Sequence, residues 1–148
     1  MKIERTVTVD VPVGAAFDYL ADFTTTTQWD PGTVSTVRID GDGGVGTSYQ
    51  NISKFLGRET SLTYVVEDRE PGKLIRLRGE NKTVVSVDTM TFRRAGAGTE
   101  VTYTAEFTFK GPSRLLAPLL RPAFTRLGND AEEGLRSALV GLRSESSP

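Results

Sequence analysis

Apolar and polar residues alternate singly near the start of the chain. Val7, Val9 and Val11 fall on one face of an extended segment, and Thr6, Thr8 and Asp10 on the other. That period of two predicts a half-buried strand. Pro12 stops it. From Val13 to Phe23 the period lengthens, with Phe17, Leu20 and Ala21 along one stripe, which predicts a short helix. Thr24 to Trp29, before Asp30-Pro31-Gly32, suits a loop or one further helical turn, and so a second short helix. Four turn signals follow, each between strand-like runs: Asp40 to Gly44, Glu70 to Lys73, Gly79 to Lys82 and Ala95 to Gly98. The last run, Thr99 to Phe109, alternates most cleanly, with Val101, Tyr103, Ala105, Phe107 and Phe109 set against Glu100, Thr102, Thr104, Glu106 and Thr108. The expectation is about seven strands, the last six joined by short connections into an antiparallel meander.

Past Gly111-Pro112 the pattern turns helical. Leu116, Leu120, Phe124, Leu127, Ala131, Leu135, Ala138 and Leu142 recur every three or four residues, one apolar stripe on a helix of about 30 residues. Pro118 and Pro122 each remove an amide donor and crowd the preceding turn, so the first two turns should kink or form a separate segment. Composition divides at the same place. Of 14 valines 13 precede Gly111, as do 18 of 19 threonines, while 8 of 13 leucines follow it. β-Branched residues favour strands and leucine favours helices, so the class is α+β. At 148 residues there is room for one domain, assigned to 1–143, with 144–148 as a frayed tail.

Charge and missing residue types narrow the chemistry. Eighteen basic and nineteen acidic residues give a net charge of −1, which offers no global basic field for nucleic acid or anionic lipid. There is no cysteine and no histidine, which excludes disulfides, thiolate or imidazole metal sites and a histidine-based triad. No metal and no cofactor are expected. No apolar run approaches the ~20 residues that span a bilayer, so stable membrane insertion is not expected. Met1 to Thr6 lacks the apolar block of a signal peptide, which makes the cytoplasm the expected location.

The order of strand, short helices, six antiparallel strands and long terminal helix carries a resemblance. The stretch Val9-Asp10-Val11-Pro12-Val13-Gly14-Ala15-Ala16-Phe17-Asp18-Tyr19-Leu20-Ala21-Asp22-Phe23, followed by Trp29, resembles the SRPBCC superfamily. That superfamily includes START-like domains, polyketide cyclase/dehydrase proteins and birch-pollen-allergen-like helix-grip proteins. Gly44-Val45-Gly46-Thr47-Ser48-Tyr49, the Glu67 to Gly72 turn, Gly98-Thr99-Glu100-Val101-Thr102-Tyr103 and the proline-interrupted leucine-rich helix are similar too. The resemblance implies a helix-grip fold, in which a curved seven-stranded antiparallel sheet wraps the long C-terminal helix. It also implies a cavity between them for an apolar small molecule. A bent sheet and a straight helix cannot touch everywhere, which makes the same point physically.

Candidate lining residues are Tyr49, Tyr64, Phe92, Tyr103, Phe107 and Phe109 on strands, with Leu116, Leu120, Phe124 and Leu127 opposite; each could equally pack as plain core. Trp29, the only tryptophan, is a candidate gate or a plug where the short helices return to the sheet. Period two places Ser86 and Asp88 on the face of Phe92. Facing inward, Asp88 would have a raised pKa and could serve as a general base. The reading adopted is the cheaper one, that a register break turns it to solvent. Arg76 and Arg78 alternate with Ile75 and Leu77 and are read as solvated surface. Arg114, Arg121 and Arg126 are read likewise, although they could touch an anionic membrane. The glycines from Gly41 to Gly46 precede a strand-like run, so a hairpin turn fits better than a dinucleotide fingerprint.

The leading functional expectation is binding of a hydrophobic small molecule, lipid-like or aromatic, in the sheet–helix cavity. One alternative is a polyketide cyclase/dehydrase-type enzyme, with acid–base work falling to Asp88, a tyrosine or an arginine. The other is a lipid chaperone or membrane-complex assembly factor. Monomer and dimer both stay open.

Overall fold

The computed structural model describes residues 1–146, with side chains described through Leu142. The chain runs β1 (Lys2–Val9), α1 (Val13–Ala21), a 3-10 turn (Phe23–Thr25), α2 (Thr26–Trp29), β2 (Thr33–Asp40), β3 (Ser48–Phe55), β4 (Arg58–Glu70), β5 (Leu74–Glu80), β6 (Val84–Ala95), β7 (Gly98–Phe109), a 3-10 segment (Gly111–Leu120) and α3 (Arg121–Ser146). All seven strands form one sheet in the order β1-β7-β6-β5-β4-β3-β2, and every pairing is antiparallel. β2 to β7 are a meander, and β1 closes against β7 after the helical insertion. The expected class, strand number and order therefore stand. Of the tail expected over 144–148, Ser147 and Pro148 lie outside the described residues.

Twist and irregular pairing bend the sheet. Register shifts fall in β2 between Thr33 and Ser35 and between Arg38 and Asp40, and in β4 between Val66 and Asp68. Such bulges raise local twist and tilt a strand toward the concave face. The four expected turns all join neighbouring strands. A fifth, Leu56-Gly57 between β3 and β4, carries no Asn, Asp or Pro. Both residues are left-handed, with φ of 53° and 78°, as a tight two-residue hairpin loop requires.

The terminal segment divides where Pro118 and Pro122 were expected to break it. From Gly111 to Leu120 the chain is a 3-10 segment with no buried residue, and α3 begins only at Arg121. Pro122 then stands in the first turn of α3, where its missing N–H costs nothing. α3 crosses the concave face and lies close to β1 and α2 at two glycines. A Cβ on Gly128 would meet Ile3 Cγ2 at 2.6 Å, and one on Gly134 would meet the Trp29 carbonyl oxygen at 1.7 Å. Glycine inside a helix costs roughly 1 kcal/mol relative to alanine. Close approach offsets that cost at both positions, to the Ile3 and Arg5 side chains at Gly128 and to the Trp29 backbone at Gly134. Among the described residues no helix is long and apolar enough to cross a membrane.

Candidate functional site

Strands β6 and β7 set out the site as a ladder of inward pairs. From one end to the other these are Phe92 with Val101, Met90 with Tyr103, Asp88 with Ala105, Ser86 with Phe107 and Val84 with Phe109. The first end is solid. Phe92 meets Phe17 of α1 edge-on with ring centroids 5.2 Å apart, and Tyr49 packs on Phe23 at 5.6 Å. Toward the other end α1 no longer covers the sheet, and a cavity of about 210 Å³ opens between the strands and α3. A single water needs roughly 10–15 Å³ of such space, so this one suits an organic molecule. Exposed Lys54 and Thr83 are in its lining, which places its mouth at the surface.

Asp88 marks the deep end. It is buried, in register with Leu77 and Ala105, and the reading that turned it to solvent is therefore corrected. Three hydroxyls make the burial tolerable. Ser86 Oγ donates to Oδ1 at 2.7 Å, Tyr64 OH donates to Oδ1 at 3.4 Å, and Tyr103 OH donates to Oδ2 at 2.9 Å. Tyr64 reaches β6 from β4 by laying its ring across Gly79 of the intervening β5. A Cβ on Gly79 would stand 2.6 Å from that ring. Burial outweighs the hydroxyls and pushes the Asp88 carboxyl up to about 6, with the charge of Asp30 adding to it. Burial, and next the Asp88 charge, hold both phenols well above their ordinary range, so they remain hydrogen-bond donors.

Trp29 sits above Tyr103, with ring centroids 5.5 Å apart and nearly perpendicular planes. It is 2% exposed, lines the cavity, and its Nε1–H has no protein partner. A buried donor left unpaired costs about 1–3 kcal/mol, which a ligand acceptor would recover. Next to it Asp30 accepts from Thr33 Oγ1 at 2.9 Å and from the Gly32 amide at 3.0 Å. Burial raises its carboxyl despite both bonds. A third polar group on the wall is one directed chain. Asn51 Nδ2 donates to Thr36 Oγ1 at 2.9 Å, Thr36 lies 2.6 Å from Thr26 Oγ1, and Thr26 donates to the Phe23 carbonyl at 2.9 Å.

Toward the mouth the walls become aromatic. Phe124 of α3 has Phe107 at 4.8 Å, Phe55 at 4.9 Å and Phe109 at 5.9 Å between ring centroids. Leu120 and Leu127 complete that end. The structure thus gathers Trp29, Tyr64, Asp88, Tyr103, Phe107, Phe109, Leu120, Phe124 and Leu127 around one space. Three expected residues lie elsewhere. Tyr49 and Phe92 are core at the closed end, and Leu116 faces out of the 3-10 segment, 54% exposed. Arg78 is exposed and pairs with Glu80, and Arg76 bonds Thr89 on the outer side, so neither reaches the cavity. Asp30, Asn51, Phe55 and Thr26 were not anticipated. The Asp30-Pro31-Gly32 turn beside Trp29 was the available signal for the first. Among the described residues no cluster of acidic side chains could hold a metal ion.

A family model described as "Polyketide cyclase / dehydrase and lipid transport" matches residues 1–143. Among solved structures the chain is similar to TTHA0849 of Thermus thermophilus, at 15% identity and a TM-score of 0.81, covering 99% of this chain and 100% of that one. It is also similar to the Zhui aromatase/cyclase of Streptomyces sp. R1128, at 16% identity and a TM-score of 0.79, covering 94% and 93%. A START superfamily protein of Mycobacterium smegmatis is similar at 13% identity and a TM-score of 0.77, covering 95% and 98%. No curated protein sequence matches the chain. At these identities the structural likenesses establish the fold.

Proposed function

The chain belongs to the polyketide cyclase/dehydrase and lipid transport family, and from that premise we propose that its cavity binds a hydrophobic small molecule with a hydrogen-bonding polar end. The observation that carries the reading is the polarity gradient along one enclosed space. An aromatic mouth around Phe124 leads to a floor of Asp88, Tyr64, Tyr103 and the unpaired Trp29 N–H. A ligand carbonyl or hydroxyl at the floor would accept from Trp29, and its rings or chain would stack among the phenylalanines. Calorimetric titration with 2-naphthol and with naphthalene tests it, since the two differ by one hydroxyl. The expected result is saturable binding of both, with naphthol about tenfold tighter for one added hydrogen bond. Absence of binding by both aromatics and by a medium-chain fatty alcohol refutes the reading.

A second reading, catalysis on a poly-β-ketone chain, is favoured by one observation. A carboxyl pushed up to about 6 between two donor phenols can take a proton near neutral pH and return it. Unchanged conversion of such a chain by Asp88→Asn would remove Asp88 from that role.

A further inference from the structure

The 3-10 segment Gly111–Leu120 presents bare apolar surface, with Leu115 81%, Leu119 76% and Leu116 54% exposed. Its geometry explains why. With three residues per turn, half-buried Ala117 and Leu120 share a row that leans on the domain, exposed Arg114 stands at its open start, and the other two rows turn Leu115, Leu116 and Leu119 outward. The charge around these leucines is one-sided. Lys110, Arg114, Arg121 and Arg126 are the only charged residues from 107 to 129 in a chain whose net charge is −1. Lys110 pairs with Glu80, whereas the three arginines make no ion pair among the described residues. Across the mouth, the β3–β4 hairpin adds a further exposed leucine in mixed charge. Leu56, 65% exposed, stands at its tip between Lys54 and Arg58, with Glu59 opposite Lys54, and lies in a groove with Pro122, Arg126 and Asp130.

We propose that this rim docks peripherally on an anionic bilayer, with the leucines entering the headgroup boundary, the arginines on lipid phosphates and the cavity mouth facing the membrane. Three features select a bilayer over other occupants. Leu115, Leu116 and Leu119 line neither the cavity nor the groove at Leu56, so they offer no seat for a peptide helix. A second copy of this chain would bring the same unpaired positive charge against itself. Cations ringing exposed leucines match the arrangement by which interfacial segments hold acidic lipid. Leu120 and Phe109 join the rim to the cavity lining, so a docked molecule could exchange an apolar ligand with the bilayer without passing it through water. That use rests on the ligand-binding reading; the docking itself does not.

Flotation with vesicles tests it, using pure phosphatidylcholine and phosphatidylcholine with 30% phosphatidylglycerol at low salt. Binding is expected to the acidic vesicles and to be mostly lost in 0.5 M salt, where charges are screened within about 4 Å. Arg114→Gln/Arg121→Gln should weaken it about 25-fold, at roughly fivefold per charge near the surface. Leu115→Ser/Leu119→Ser should weaken it about tenfold or more while leaving the melting temperature unchanged, because both side chains are exposed in the free protein. No binding to acidic vesicles overturns the proposal. So does binding indifferent to the leucines, which is mere adsorption, and so does self-association in sedimentation that the leucine variant abolishes. Calorimetry with 2-naphthol is read separately, so loss of vesicle binding with intact naphthol binding would sink the docking alone.

Discussion

Replacing Asp88 by asparagine should change the pH dependence of stability in a predictable direction. The carboxyl titrates near 3.8 when unfolded and at about 6 in the fold. Between these values the native state holds a proton that the unfolded chain has released, so stability falls as pH rises. The contribution is present in full below about pH 3.8, is lost through the interval, and is gone above about 6. The gap corresponds to about 3 kcal/mol at 1.36 kcal/mol per pH unit. For a domain of this size that is roughly 6–12 °C in Tm. Asparagine cannot ionise, and its amide can accept from Tyr103 and donate to a rotated hydroxyl of Ser86 or Tyr64. Urea unfolding followed by Trp29 fluorescence at pH 4, 5, 6, 7 and 8 gives the difference between the two proteins. Asp30 and Glu80 titrate in both, so their effects largely cancel. The variant should gain about 3 kcal/mol relative to wild type between pH 4 and 7, with the slope confined to that window. A difference that stays flat across pH would refute the claim that Asp88 is buried against its own ionisation.

Two further substitutions test the geometry that holds the site. Gly134→Ala should destabilise by about 2 kcal/mol or more in thermal melts, because its methyl would overlap the Trp29 carbonyl at 1.7 Å; helix propensity alone predicts a gain of roughly 1 kcal/mol, so the sign decides. Gly79→Ala should dislodge the Tyr64 ring, which a Cβ would meet at 2.6 Å, and so remove one donor from Asp88. The midpoint of the Asp88 titration, read by carboxyl-resolved NMR, should then move up, since a lost donor favours the neutral form.

Local periodicity carried the fold, and it fails where the backbone changes its period. Leu116 aligns with Leu120 and Phe124 at 3.6 residues per turn. In the 3-10 segment it is Ala117 that falls under Leu120, and Leu116 swings to solvent. Asp88 shows the opposite error. Its alternation with Phe92 points inward, whereas a register break was expected to turn it to solvent; the pairing with β5 and β7 stays in register through Asp88. Two of its three donors arrive from elsewhere in the sheet, Tyr64 from β4 and Tyr103 from β7, so the compensation is nonlocal. The same holds for lining against core. Phe92 and Phe109 share a face of the same ladder, and only the position of α1 over one end decides which packs solidly.

That decision explains why the hollow persists. A space among aliphatic side chains can shrink as they rotate into it, and close packing favours that outcome. Here the floor cannot follow. Tyr64 and Tyr103 are tied to Asp88, and moving either into the gap would leave a buried carboxylate short of a donor. The roof is equally fixed, because Gly128 seats α3 on the Ile3 and Arg5 side chains of β1 and Gly134 seats it on the Trp29 backbone of α2. The rings of Phe55, Phe107 and Phe109 already meet Phe124 at their contact distances and cannot swing far without losing those faces. Floor, roof and mouth are each held by contacts among their own residues, so the side chains cannot move into the space without breaking them. A ligand gains most when its acceptor lies at Trp29 and its apolar part fills the aromatic end.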